Sequence, residues 1–143
     1  MTCIFSCSDD ALIETPDNDI ADTYVGKNYD SVIYYASRSL KMNLGNVADY
    51  YSHYLLGFSY QKKGQYQKAF DHYLKARDMT PKDKKYDFYR YATHNQLGKI
   101  CKMHTNYDIA IDNYLKALSY ASDDRLPSIY YNLGNAYKSK GQK

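Results

Sequence analysis

Four histidines, three cysteines and a recurring aspartate are the residues of this chain with chemistry to offer. His53 and His94 stand 41 residues apart, with His72 between them and His104 beyond. Imidazole is a common zinc ligand, so two imidazoles at equivalent places on neighbouring helices are a possible start of a metal site. Packed helix axes lie ~8–10 Å apart, and no cysteine or acid recurs with the two histidines. Packing roles are therefore expected for them, with no metal and no cofactor. Asp71 and Asp112 also recur, but carboxylates that share acid–base work must face one substrate. In successive copies of a repeat they read as one exposed helix face. Cys101 lies within a periodic helix and reads as a small buried hydrophobe. Three cysteines make no disulfide framework. The chain has no C-x-x-C, no H-E-x-x-H, no phosphate-binding glycine loop and no nucleophile elbow. No catalytic residue is assigned, and no enzyme is expected.

The elements that hold these residues repeat. Tyr66–Ala76 reads YQKAFDHYLKA and Tyr107–Ala117 reads YDIAIDNYLKA, again 41 residues on. The helices before them match too, at Leu55–Gly57 (LLG), Gln96–Gly98 (QLG) and Asn132–Gly134 (NLG). Tyr66, Ala69, Phe70, Tyr73 and Leu74 form one stripe of a helix. Small residues at Ala69, Ala76, Ala110 and Ala117 let neighbouring helices approach. Gly57, Gly98 and Gly134 fall inside helices, where glycine costs ~1 kcal/mol against alanine; close packing against the paired helix is the expected offset. A helical hairpin repeated at this period is the signature of a solenoid.

At these residues the chain resembles the tetratricopeptide repeat (TPR) family. Leu56, Gly57, Tyr60, Gly64, Tyr66, Ala69, Tyr73, Ala76 and Pro81 fit the family pattern in order, and Leu97, Gly98, Tyr107, Ala110, Tyr114 and Ala117 repeat it. The second copy departs at Cys101, where Tyr is usual, and at Ser122, where Pro is usual. His53, His94 and Tyr130 stand where the family has Trp. The resemblance implies an all-α solenoid, a right-handed superhelix of about six or seven helices.

It also implies a ligand groove lined by the first helix of each hairpin. The matching residues are Tyr51, Tyr54, Phe58 and Gln61, then Asn95, Gln96, Lys99 and Lys102, then Tyr131, Asn132, Asn135 and Lys138. Side-chain amides at Gln96, Asn132 and Asn135 offer both donor and acceptor to an extended peptide. Tyr51, Tyr54 and Phe58 suit an apolar side chain, and Lys99, Lys102 and Lys138 favour an acidic segment or C-terminus. The carboxylate clamp of some chaperone-binding TPR domains is not matched, because Tyr54 and Phe58 stand where Lys and Asn are needed. An ordinary polar surface is the competing reading of these positions.

Composition bounds the rest. The 143 residues suffice for one domain with a sizeable core, and 44% hydrophobic content suits a folded chain. A net charge of +3 is too balanced to argue for nucleic acid. Nineteen tyrosines and no tryptophan supply apolar area with a hydrogen-bonding tip, and most are expected in helix interfaces. No run is long enough to span a bilayer as a helix.

Residues 1–22 read as a truncated signal remnant and tether. Ile4-Phe5-Ser6-Cys7 followed by Ser8-Asp9-Asp10 resembles the lipidation site and acidic run of Bacteroidetes-type surface lipoproteins. The resemblance implies a lipid anchor at Cys7 and a bacterial envelope location, in the outer membrane or periplasm. The apolar segment before Cys7 is only a stub, and no basic region precedes it. A cytoplasmic chain with two incidental thiols, Cys3 and Cys7, is the alternative.

The repeat domain is expected over 23–143. It comprises a half-repeat at 27–43, repeats at 47–81 and 83–121, and a partial repeat at 125–143. Within it 83–103 reads as one long helix, as in extended bacterial TPR proteins. Gly141-Gln142 echoes Gly64-Gln65, so the last helix is expected to expose a face meant for a partner helix. The function expected is non-enzymatic protein or peptide binding on an envelope lipoprotein. The alternative is the sensor region of a bacterial signalling protein, a histidine kinase or a helix-turn-helix regulator.

Overall fold

The computed structural model describes residues 28–141. Cys3, Cys7 and the expected tether lie outside the described residues. Six α-helices occur among them: α1 (Tyr29–Lys41), α2 (Asn46–Lys62), α3 (Tyr66–Met79), α4 (Asp87–Met103), α5 (Tyr107–Tyr120) and α6 (Leu126–Gly141). No strand occurs among the described residues. The helices divide into two compact units, one ending at Met79 and the other beginning at Thr80. None of the described helices is long and apolar enough to cross a membrane.

In the first unit α2 packs against both α1 and α3. Asn28 caps α1 by accepting a hydrogen bond from the Ser31 amide. Its buried contribution is Ala36, and Lys63 of the α2–α3 turn pairs with Asp30. Hairpin α2–α3 closes over Tyr50, Leu56, Phe70, Tyr73 and the alanines Ala69 and Ala76, all buried. The turn between them ends α2 as the sequence directs. The Gln65 amide reaches back to the Tyr60 carbonyl at 2.8 Å, and Gly64 takes the left-handed conformation at φ 76° that this closure needs.

The second unit repeats this hairpin as α4–α5 and packs α6 against α5. The α4–α5 turn has the same closure, from the Asn106 amide to the Cys101 carbonyl at 2.8 Å. Here Thr105 occupies the left-handed position, at φ 61°. Tyr91, Leu97, Ile100, Ala110, Tyr114 and Ala117 are buried, with Ile129, Leu133 and Ala136 from α6. Cys101 is fully buried, as a small hydrophobe in that position should be.

The long helix expected over 83–103 is not formed. Lys84–Tyr86 is a 3₁₀ turn, and α4 begins at Asp87 with 17 residues, the same length as α2. The Asp83 carboxylate accepts from the Lys85 amide and starts the turn. Arg90 then fixes it from inside α4: its guanidinium donates to the carbonyls of Pro81 and Asp83 and pairs with Asp87 at 2.7 Å. The residues that lengthen this repeat thus form an anchored turn, not an extra helical turn. A second 3₁₀ turn, Asp123–Arg125, precedes α6 in the same way.

Candidate functional site

The first helix of each hairpin presents its expected ligand face differently in the two units. On α2, Tyr51 is exposed and its ring meets Tyr50 edge-on at 5.5 Å. Tyr54 is half-buried, stacked on Tyr50 at 5.8 Å and edge-on to Tyr73 at 5.5 Å. Gln61 accepts a hydrogen bond from the Tyr73 hydroxyl at 2.9 Å. Phe58 is only 1% exposed, edge-on to Tyr29 of α1 with the Lys62 ammonium above it. It belongs to the packing between α1 and α2 and is not open to a ligand.

On α4 the stripe Asn95, Lys99 and Lys102 lies at i, i+4 and i+7. Asn132 of α6 donates from Nδ2 to Asn95 Oδ1 at 2.9 Å. That bond lays the α6 stripe of Asn132, Asn135 and Lys138 beside the α4 stripe. Lys99, Lys102, Asn132 and Asn135 are half-buried, while Tyr131 and Lys138 are exposed. Gln96 is 2% exposed and sits one residue round the helix from the open stripe. Like Phe58, it is corrected from groove to core: a step of one residue turns the side chain by about 100°. Asn95 is itself 8% exposed, and its amide holds Asn132 from beneath.

The histidines pair within hairpins, not between them. The Nδ1 atoms of His53 on α2 and His72 on α3 are 3.0 Å apart, so one neutral ring donates and the other accepts. The rings overlap at 5.3 Å, and Tyr60 stacks on His72 at 5.5 Å. Burial lowers the His72 pKa to about 4, with His53, Lys75 and Lys68 acting in the same sense against Asp71. His53 is lowered by burial and by Lys75, against Asp49. In the second unit His94 Nδ1 meets Asn113 Oδ1 at 3.1 Å, and Asn113 is tied to the Ile109 carbonyl. The same inter-helix polar contact thus recurs with His72 replaced by Asn113. Among the described residues no group of three or more His, Cys, Asp or Glu side chains converges as a metal centre requires. Asp71 and Asp112 lie exposed on the second helices, where they meet Gln67 and Lys116.

The repeated helical hairpin is matched by two sequence profiles of the tetratricopeptide repeat. One covers residues 47–123 and the other residues 127–143. The chain belongs to the tetratricopeptide repeat family. TPR repeats are protein-interaction modules, and the all-α hairpin fold is theirs. Neither profile includes α1, which lies before residue 47. No curated protein matches the chain.

Against the TPR pattern, sequence reasoning missed two site features. Arg90 carries no motif, because its partners are backbone carbonyls. His72 was legible only as an unaligned histidine; the recurrence of His53 at His94 drew the comparison along the first helices, whereas the contact runs across each hairpin.

Proposed function

We propose that this TPR chain is a non-enzymatic module that binds an extended, acidic peptide segment on the first-helix face of its second unit. The observation that carries this reading is the Asn132–Asn95 hydrogen bond, which sets two polar stripes side by side. Three lysines, Lys99, Lys102 and Lys138, lie on those stripes and give the face a positive potential. Asn135 and the remaining amide valences of Asn132 offer donors and acceptors to a peptide backbone. Tyr131 beside them provides an exposed aromatic surface. In the first unit, Tyr51 and Tyr54 provide an aromatic surface on α2.

The test is a titration with a fluorescent Asp/Glu-rich peptide in low and high salt. Binding that weakens with salt is expected, as is a loss of about tenfold or more in the Lys99→Glu, Lys102→Glu double variant. Full affinity in that variant would remove the assignment. An envelope location through a lipid on Cys7 accompanies this proposal and rests on Ile4–Cys7 alone. Mass spectrometry of the N-terminal peptide from expressing cells tests it: an acylated Cys7 supports it, and an unmodified thiol removes it.

A further inference from the structure

The connection between α1 and α2 exposes large apolar side chains where its two counterparts expose none. Between α3 and α4 the exposed residues are Lys82, Asp83, Lys84 and Lys85, and between α5 and α6 they are Ser122, Asp123 and Asp124. Between α1 and α2, Met42 and Leu44 are 65% and 58% exposed. Met79 and Tyr120, the last residues of α3 and α5, are half-buried, and so is Pro81. The backbone gives this turn a definite shape. The Met42 amide donates to the Ser39 carbonyl at 3.0 Å, and Asn43 and Gly45 take positive φ of 51° and 105°. Two large side chains thus stand in water on a shaped turn, an arrangement that any apolar surface covering them would relieve.

The charge around the turn selects the occupant. Tyr34, Arg38 and Lys41 lie at i, i+4 and i+7 on α1, one exposed stripe that leads to Met42. The Arg38 guanidinium reaches the Tyr34 hydroxyl at 3.5 Å. No acidic residue occurs from Ser31 to Ala48, and the one acid of α1, Asp30, pairs with Lys63. The turn is therefore apolar at its tip and positive at its base. That order matches the edge of an anionic bilayer, where phosphate lies outside and hydrocarbon within. Long basic side chains can follow the apolar tip inward while their charges stay at the phosphates. A tyrosine suits the same boundary, with an apolar ring and a polar hydroxyl.

We infer that the α1–α2 turn docks on the surface of a bilayer that carries anionic phospholipids. Met42 and Leu44 enter the boundary of the acyl chains, and Arg38 and Lys41 meet the phosphates. The site uses residues of the first unit alone, so it stands apart from the peptide-binding reading, which rests on the second. It also needs no acyl chain on Cys7.

The chain has no tryptophan, so one introduced at a turn reports on that turn alone. The experiment uses the whole chain with Cys7→Ser, which excludes an acyl anchor, and carries Leu44→Trp; Ser122→Trp in the α5–α6 connection is the control. The probe is vesicles of phosphatidylglycerol and phosphatidylcholine in equal parts, with and without brominated acyl chains as quencher. The expected result is a blue shift and quenching for Leu44→Trp and neither for Ser122→Trp. Adding Arg38→Glu and Lys41→Glu should weaken the partition about tenfold or more, and so should high salt. Co-sedimentation of the tryptophan-free chain should fall likewise in the Met42→Ser, Leu44→Ser variant, with an unchanged melting temperature because both side chains are exposed. Equal quenching of the two tryptophans, or none at saturating lipid, overturns the inference. Equal partition into phosphatidylcholine alone, or full affinity in the charge-reversed variant, overturns it as well.

Discussion

The Tyr114 ring lies directly over Gly98, so that a methyl group added at Gly98 would fall 2.6 Å from Cε1 and 2.7 Å from Cδ1. Tyr114 is 1% exposed and has no room to withdraw. Helix propensity alone would make Gly98→Ala stabilising by ~1 kcal/mol; the contact should reverse the sign. Gly98→Leu is expected to lose ~1–3 kcal/mol by overpacking. Gly134→Ala, into open space, should instead gain up to ~1 kcal/mol. Urea unfolding of the three variants checks this, and an unchanged Gly98→Leu midpoint would argue against the hairpin packing.

The two hairpin turns differ at one residue. Gly64 and Thr105 both adopt positive φ, but a β-branched side chain is strained there. Thr105 is exposed, so little packing is lost on its removal. Thr105→Gly should raise stability by ~1 kcal/mol, and Gly64→Thr should lower it by ~1–2 kcal/mol. Melting curves of the two reciprocal variants decide whether the turns are equivalent.

The His53–His72 contact makes the first unit sensitive to acid. With its pKa lowered to about 4 from an ordinary value near 6.5, His72 stays neutral in the folded chain while the unfolded chain takes up a proton. Stability is therefore unaffected above pH 6.5, falls as the pH drops towards about 4, and levels below that. The half-buried ring keeps solvent screening, so the loss is on the order of 1 kcal/mol. His72→Asn copies Asn113 and should flatten this part of the pH profile. Identical slopes for variant and parent between about pH 7 and about pH 4.5 would contradict the assignment.

Arg90 holds the turn that enters α4. Its guanidinium bonds to Pro81, Asp83 and Asp87 and sits 5.5 Å from the Tyr120 ring centre. Lysine cannot reproduce a planar fork with several donors. Arg90→Lys should cost ~1–2 kcal/mol and speed amide exchange at the Lys85 and Tyr86 amides; slow exchange retained there would show that the turn stands without it.

Much of this architecture is legible in the residues. The paired Tyr-x-x-Ala stripes, the internal glycines and the Gly64 turn each give a local reason for a hairpin, and all agree. What escaped depends on facing partners. Lys84–Tyr86 is capped by Asp83 as a helix start would be, and Arg90 reaching back to two carbonyls holds it as a separate 3₁₀ turn. Phe58 lies on the groove stripe of α2 but is covered by Tyr29 of α1, and Gln96 sits one residue from the stripe on α4; which side of a helix is covered depends on neighbours that a repeat pattern does not locate.

The central claim is that the first-helix face of the second unit receives the ligand. Amide chemical-shift mapping with an extended acidic peptide tests it most directly. The account predicts changes concentrated at Asn95, Lys99, Lys102, Asn132, Asn135 and Lys138. Changes centred instead on the outer side of α5, around Asp112 and Lys116, would contradict it, as would none at saturating peptide.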